Sequence, residues 1–341
     1  MWSEKFQQER IIQQLLLSLL FVCTLSACSG PTEELIVGST MGTTFSIKFV
    51  ASDVDREQLE REINQELVLV NQWMSTYDPE SELSIFNKTP VHESFPVSRP
   101  LIEVLKLAKL IHQQSDGAFD VTVGPLVNLW GFGPDPAKNS VPKDSLIEAA
   151  LDQTGFQYLE VGDNELTRLQ DIYVDLSAIA KGYGVDRVSD LLEQNGIGDY
   201  LVEIGGELRA RGLKPNGEHW RIAIEKPDSL RRSVYTTLPL RQMSMATSGD
   251  YRNYFEVDGK RYSHTIDPRN GRPVTHQIAS VTVLTAEAAL ADGYATAINV
   301  LGPEAGMLLA EQQNLAVLFI MKSEEGFIEL TSTAMQSYIS P

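Results

Sequence analysis

Tyr251-Arg252-Asn253-Tyr254-Phe255-Glu256-Val257-Asp258-Gly259-Lys260-Arg261-Tyr262-Ser263-His264-Thr265-Ile266 is the stretch on which the fold turns. Two strands, Tyr251–Val257 and Lys260–Ile266, flank Asp258-Gly259, the dipeptide favoured in a two-residue type I′ turn because both central residues take positive φ. A hairpin joined this tightly is antiparallel, and its neighbours extend the pattern. Strands are expected at Tyr200–Ile204, Glu207–Gly212, Trp220–Ile224, Thr236–Leu240, Ser280–Thr285 and Ala316–Met321. Alternation from Thr44 to Phe49, just after Leu35-Ile36-Val37, gives what reads as the first strand. Apolar residues at Leu59, Ile63, Leu67, Val70 and Met74 fall on one helical face within Asp55–Met74, and Pro100–Gln114 repeats the spacing until Asp116-Gly117 stops it. A loop at Gly131–Pro142 leads to a short helix at Asp144–Gln153. Ile172–Leu176 reads as a buried strand running into a helix that ends at Gly196. Ala286–Leu301 is a helix stopped by Gly302-Pro303, and another begins at Glu304. No repeat or long linker interrupts the pattern. The expected fold is therefore α+β, a single large domain over residues 35–341 with a twisted, largely antiparallel sheet and packed helices.

The 341 residues are 43% hydrophobic, enough apolar material for a sizeable core, and carry a formal charge of −18. A surface this acidic repels polyphosphate, which excludes nucleic acid as a natural partner. A phosphate-bearing ligand would have to be received by helix ends, placed cations or a metal ion. Both cysteines, Cys23 and Cys28, lie at the N-terminus, so the body can build neither a disulfide framework nor a thiolate metal cluster. Lys5 and Arg10 precede an apolar run, Ile11–Val22, that is too short to span a bilayer, and Leu25-Ser26-Ala27-Cys28 follows. The tetrapeptide resembles the lipobox of bacterial lipoproteins. It implies a signal peptide over residues 1–27, lipidation at Cys28 and a linker over 28–34, with the body outside the cytoplasm.

Asp292 and Thr296 stand four apart in a mostly apolar helix, so both oxygens project from one face and could share a hard cation. Taken alone, such a pair is more simply a solvated Asp beside an unrelated Thr. In Tyr173-Val174-Asp175-Leu176-Ser177-Ala178-Ile179-Ala180-Lys181-Gly182 the chain leaves a strand for a helix. That step exposes carbonyls such as Ala178's and free N–H groups beside Lys181, while Asp175 and Ser177 could serve as caps. None of the five histidines is spaced as in a zinc motif; His264, at the end of the hairpin, is either a base delivered to a loop or a structural hydrogen-bonder. Trp73, Tyr77, Phe119, Trp130 and Phe132 recur at element ends, where rings either stack on a flat ligand or pack into the core.

Together these segments resemble the ApbE family of FAD:protein FMN transferases. The resemblance runs in order through Met41-Gly42-Thr43-Thr44, Ser75-Thr76-Tyr77, Asp116-Gly117-Ala118-Phe119-Asp120-Val121-Thr122-Val123-Gly124-Pro125-Leu126-Val127, Val174-Asp175-Leu176-Ser177, Gly205-Gly206, Ser248-Gly249-Asp250-Tyr251, His264-Thr265-Ile266-Asp267-Pro268 and Ala291-Asp292-Gly293-Tyr294-Ala295-Thr296. It implies that Met41, Tyr77, Ala118, Phe119, Asp120, Asp175, Lys181 and Ile266 contact FAD. It further implies that the Ala178 carbonyl, Asp292 and Thr296 hold Mg²⁺, and that His264 stands where the family has a candidate base. The implied reaction moves FMN from FAD to a threonine hydroxyl and releases AMP. The implied acceptors are extracytoplasmic domains of membrane electron-transfer complexes. The enzyme would sit on the periplasmic side of the inner membrane, although Ser29 after the lipidated cysteine also permits outer-membrane delivery. Gly293 departs from the alanine of many relatives, and the expected effect is local helix weakening only. Two other readings use the same residues: a pyrophosphatase that splits FAD into FMN and AMP, and a non-catalytic FAD-binding lipoprotein.

Overall fold

The computed structural model describes residues 32–51, 54–133, 140–227, 233–249 and 253–339. The leader, Cys28 and most of its linker, and Asp250-Tyr251 lie outside the described residues.

Eight strands form the central sheet: β1 (Thr32–Thr40), β2 (Thr43–Ala51), β3 (Tyr200–Ile204), β4 (Glu207–Arg211), β5 (Met243–Ser248), β6 (Ile278–Thr285), β7 (Ala316–Ser323) and β8 (Gly326–Thr331). They lie side by side in chain order, and every neighbouring pair is antiparallel. Side chains alternate across such a sheet, so each strand feeds two cores. On one face, Phe45, Ile47 and Phe49 of β2 pack against Leu59, Ile63 and Leu67 of helix α1 (Arg56–Met74) and against Val185, Val188 and Leu192. These last three belong to helix α2 (Ala180–Gln194). On the same face Val281, Val283, Val317 and Phe319 meet the long helix α3 (Ala288–Gln312) and the helix Arg99–Gln114. On the opposite face Leu284, Leu318 and Ile320 are covered by a hairpin, Trp220–Glu225 with Val234–Leu240. Covered on both sides, β6 is buried at every residue.

The α+β expectation of one domain built on antiparallel sheet is borne out. Three local readings are corrected. The strand from Thr44 is second, since Thr32–Thr40 pairs with it along its whole length. Ile172–Leu176 is extended but is not a strand, its one bridge joining Tyr173 to Val123. The Asn87 amide takes over both backbone groups of Val174, at 2.8 Å each, and the Asp175 N–H goes to the Val121 carbonyl at 2.7 Å. The expected stop at Gly302-Pro303 is borne out: the helical path breaks at Gly302 (φ 81°), where two helices meet end to end within α3. Met243–Ser248 was not foreseen, because Met-Ser-Met-Ala-Thr-Ser lacks an apolar alternation.

The hairpin that opened the sequence reading forms over Tyr254–Val257 and Lys260–Ser263, with Asp258 (φ 52°) and Gly259 (φ 74°) both in the left-handed region. It stands apart from the large sheet and leans on Trp130 and Phe132 through Tyr262 and Phe255. Trp130 is core, its indole N–H donating to the Gly271 carbonyl at 2.8 Å.

Helices α2 and α3 grip each other by exchanged carboxylates. Asp186 of α2 accepts the first N–H groups of α3, from Ala288 (2.8 Å) and Ala289 (2.9 Å). Asp292 of α3 accepts the Gly182 N–H of α2 at 3.1 Å. Each carboxylate thereby satisfies amides that a helix start leaves without an intrahelical partner. Gly182 permits the close approach, since a Cβ there would lie 2.3 Å from the Ala288 carbonyl oxygen.

Candidate active site

Where the ends of these helices meet the connections between strands, a cavity of about 420 Å³ opens. Tyr77, Ala118, Phe119, Asp120, Asp175, Ala178, Lys181, His264, Ile266, Asp292 and Thr296 all border it, so segments far apart in sequence converge on one chamber. Met41 does not border it. This residue sits in the β1–β2 turn (φ 49°), its side chain packed beside Gly184 and between the two helical cores.

The polar floor is built around Lys181, in the first turn of α2. Its Nζ lies 3.1 Å from Glu207 Oε1 and 3.6 Å from Asp292 Oδ2. Both carboxylates are buried. Burial works against the ammonium charge, but Asp292 and Glu207 outweigh it and hold the Lys181 pKa above its ordinary value. Burial pushes the Glu207 carboxyl well above the usual carboxylate range, with Lys181 opposing and Asp292 adding to the shift. Glu207 Oε2 has no hydrogen-bond partner among the described residues, so the floor retains an unsatisfied acceptor. Sequence reasoning missed Glu207, since Glu207-Leu208-Arg209 reads as ordinary strand alternation. Only the pairing of β3 with β4 beside α2 reveals its place.

Asp292, Thr296 and the Ala178 turn offer a carboxylate, a hydroxyl and a main-chain carbonyl from two segments clasped together by the Asp292–Gly182 bond. An all-oxygen set of this kind suits a hard divalent cation such as Mg²⁺. Among the described residues both contacts of the Asp292 carboxylate run through Oδ2. No group of three or more His, Cys, Asp or Glu capable of holding a metal occurs among the described residues, so a metal here would rely on neutral oxygens as well as Asp292.

The remaining walls divide by task. His264 Nδ1 lies 3.0 Å from the Asn253 carbonyl. A ring nitrogen facing a carbonyl carries the proton and donates it. Tyr77 is 66% exposed, a ring with a face available to a flat ligand. Burial and the nearby Asp175 both raise its phenol pKa. Asp175 accepts from the Ser177 N–H (2.8 Å) and hydroxyl (2.5 Å), closing the turn ahead of α2 rather than capping the helix itself. Asp120 spends its carboxylate inward: Oδ1 on the N–H and hydroxyl of Thr122, Oδ2 on the Phe156 N–H at 3.0 Å. Asn299, fully buried one turn beyond Thr296, was also missed. Its Nδ2 donates to Ser248 Oγ at 3.1 Å and reaches Thr265 Oγ1 at 3.5 Å, tying β5 and the residue after His264 to α3.

The family model described as "ApbE family" matches residues 41–319. The chain belongs to the ApbE family. Among ApbE relatives, the FAD:protein FMN transferase of Vibrio cholerae serotype O1 is 46% identical over 95% of this chain and 98% of its own length. That of Salmonella typhimurium is 40% identical over 91% of each. Two solved ApbE structures superpose on the fold. The flavin transferase ApbE from Vibrio cholerae has a TM-score of 0.85 at 44% identity, covering 91% of this chain and 100% of that one. The Pseudomonas stutzeri flavinyl transferase ApbE, apo form, has a TM-score of 0.86 at 40% identity, covering 92% and 99%. The ApbE resemblance read from the sequence motifs is therefore borne out, and the chain is an enzyme of the transferase class.

Proposed function

We propose that this protein transfers the FMN moiety of FAD to a threonine hydroxyl of an acceptor protein, releasing AMP, with Mg²⁺ as cofactor. The observation that carries the reading is the convergence on one cavity of a buried lysine–carboxylate floor, an all-oxygen cation set and the imidazole of His264. The threonine Oγ attacks the phosphorus on the flavin side of the diphosphate, and its proton passes to His264 Nε2. The bond from that phosphorus to the bridging oxygen breaks, and AMP leaves with the bridging oxygen. Lys181 faces the developing charge as a fixed cation, which an acidic protein needs at this one place. Tyr77 and Phe119 orient the flat rings, while Ala118, Asp175 and Ile266 shape the wall. Mg²⁺ on the Ala178 carbonyl, Asp292 and Thr296 would neutralise the diphosphate when bound. The leader supports lipid anchoring through Cys28 outside the cytoplasm, and the proposed acceptors, domains of membrane electron-transfer complexes, put the enzyme at the periplasmic face of the inner membrane.

The test is mass spectrometry of a flavin-free acceptor domain after incubation with the enzyme, FAD and Mg²⁺. The expected result is an FMN adduct on threonine with equimolar AMP. Release of FMN and AMP without an adduct would make the protein a pyrophosphatase. Tight FAD binding with no AMP would make it a carrier.

A further inference from the structure

The hairpin between β4 and β5 leaves one strand edge open beside the active site. Among the described residues, Trp220–Glu225 pairs on one side only, with Val234–Leu240. Along its other side runs a second cavity of about 500 Å³, bordered by Arg221 through Glu225 and, opposite, by Ser46, Leu201 and Glu203 of the central sheet. Gly205, Thr247 and Gly249 border both this cavity and the proposed nucleotide chamber, so the two adjoin across these three residues.

The register settles which backbone groups face the groove. Pro239 lies opposite Arg221. Proline has no N–H to exchange, so Arg221 and Pro239 form a non-hydrogen-bonded pair of the ladder. Arg221 and, two residues on, Ala223 therefore turn their N–H and C=O groups away from Val234–Leu240 and into the groove. A row of main-chain donors and acceptors along an extended edge is the surface to which a polypeptide adds as a further strand. Among the described residues Arg221 is the only cationic one on the groove wall, and Glu203 and Glu225 oppose anions there, which suits a second nucleotide poorly.

We propose that this groove receives the threonine-bearing segment of the acceptor as an added β-strand, delivering its hydroxyl past Gly205 and Thr247 into the nucleotide chamber. The inference rests on the transfer reading above, and the groove's position against the chamber, with Gly205, Thr247 and Gly249 lining both, is what commits it to the acceptor. Five residues of edge, at about 3.3 Å each, hold roughly 16 Å of extended chain. Recognition would come mainly from the acceptor's backbone, with a small or neutral residue preferred opposite the exposed Ala223.

The test uses the full chain and a recombinant, flavin-free extracytoplasmic acceptor domain that carries its flavin on threonine. Ala223→Pro removes the groove-facing N–H, which the hairpin ladder does not use. It should raise the acceptor KM at least tenfold while the Kd for FAD, read by flavin fluorescence, stays within twofold. Ala223→Leu keeps that N–H and should retain an acceptor KM near the parent value. In case the proline variant does not fold, Ala223→Cys and, on the exposed side of α1, Val68→Cys carry a benzophenone label, the body having no other cysteine. Crosslinking to the acceptor from position 223 and not from 68 supports the groove. An unchanged KM in Ala223→Pro, equal crosslinking from both positions, or capture of a second copy of this chain overturns it while leaving the transfer reading intact. A parent protein that binds FAD but never labels the acceptor overturns the transfer reading as well.

Discussion

Tyr77 and His264 are the two side chains on which single substitutions separate binding from chemistry most directly. The Tyr77 ring contributes little to the core, so Tyr77→Ala should leave Tm unchanged while raising the Kd for FAD about tenfold, the loss of one stacking contact of 1–1.5 kcal/mol. An unchanged Kd by fluorescence titration would remove the ring from the binding face. His264→Ala should lower kcat for transfer by about 10² to 10⁴ with FAD affinity retained. A variant that loses only affinity would make the imidazole a binding group. Most of the residues that border the cavity stand in motifs legible in the sequence, because the chemistry restricts which residue types can serve. Glu207 and Asn299 were not legible. Their roles come from partners 26 positions away at Lys181 and 51 away at Ser248, and no local pattern announces such neighbours. Asp120 teaches the converse, since a carboxylate beside a ligand cavity can be fully engaged in holding its own loop.

At the scale of elements, the mutual grip of α2 and α3 makes stability depend on pH in a definite direction. Burial, opposed by the amides of Ala288 and Ala289 and by Arg209, leaves the Asp186 pKa raised to about 6. The folded protein then holds a proton that the unfolded chain releases between the unfolded value of about 4 and about 6. Stability from this group is fullest below pH 4 and falls by roughly 3 kcal/mol as pH rises through 6. Asp186→Asn should abolish that component. Subtracting its denaturation free energies from the parent's should give a slope between pH 4 and 6 and a plateau above 7, and a flat difference would contradict the raised pKa. Gly293 corrects the expectation of mere helix weakening. A Cβ there would lie 2.4 Å from Ile111 Cδ1, so the neighbouring helix uses the space that glycine leaves. Gly293→Ala gains about 1 kcal/mol of helix propensity but overpacks the contact by about 1–3 kcal/mol, giving a small net loss. Adding Ile111→Val should recover at least about 1 kcal/mol in a double-mutant cycle, and strict additivity would show that the contact relaxes freely. Helices were legible from their apolar spacing. The strand expected at Ile172–Leu176 was misread because an apolar run says that a segment is buried, not which groups satisfy its backbone.

The molecule as a whole offers a readout of cation binding that does not require turnover. A ligand that binds only the folded form at a hundredfold excess over its Kd adds about 2.7 kcal/mol, which for a domain of this size raises Tm by about 5 °C. Mg²⁺ should do so for the parent and not for Asp292→Asn, in which an amide still accepts from Gly182. The same rise in both would remove Asp292 from the cation site. The antiparallel sheet was legible as a class, but its order was not. Strand patterns do not say which edges pair, and the step from Ala51 to Tyr200 spans several elements before the next neighbour arrives.

That order has a consequence for anyone who would dissect the protein. Because each strand adjoins the one before it, the walls of the chamber come from successive excursions hung along a single frame, from the end of α1 near Tyr77 to the middle of α3 at Val300. No truncated piece encloses the pocket. Retention of the nucleotide can therefore serve as a certificate that every excursion has reached its place, a stricter criterion of correct assembly than secondary-structure content or solubility.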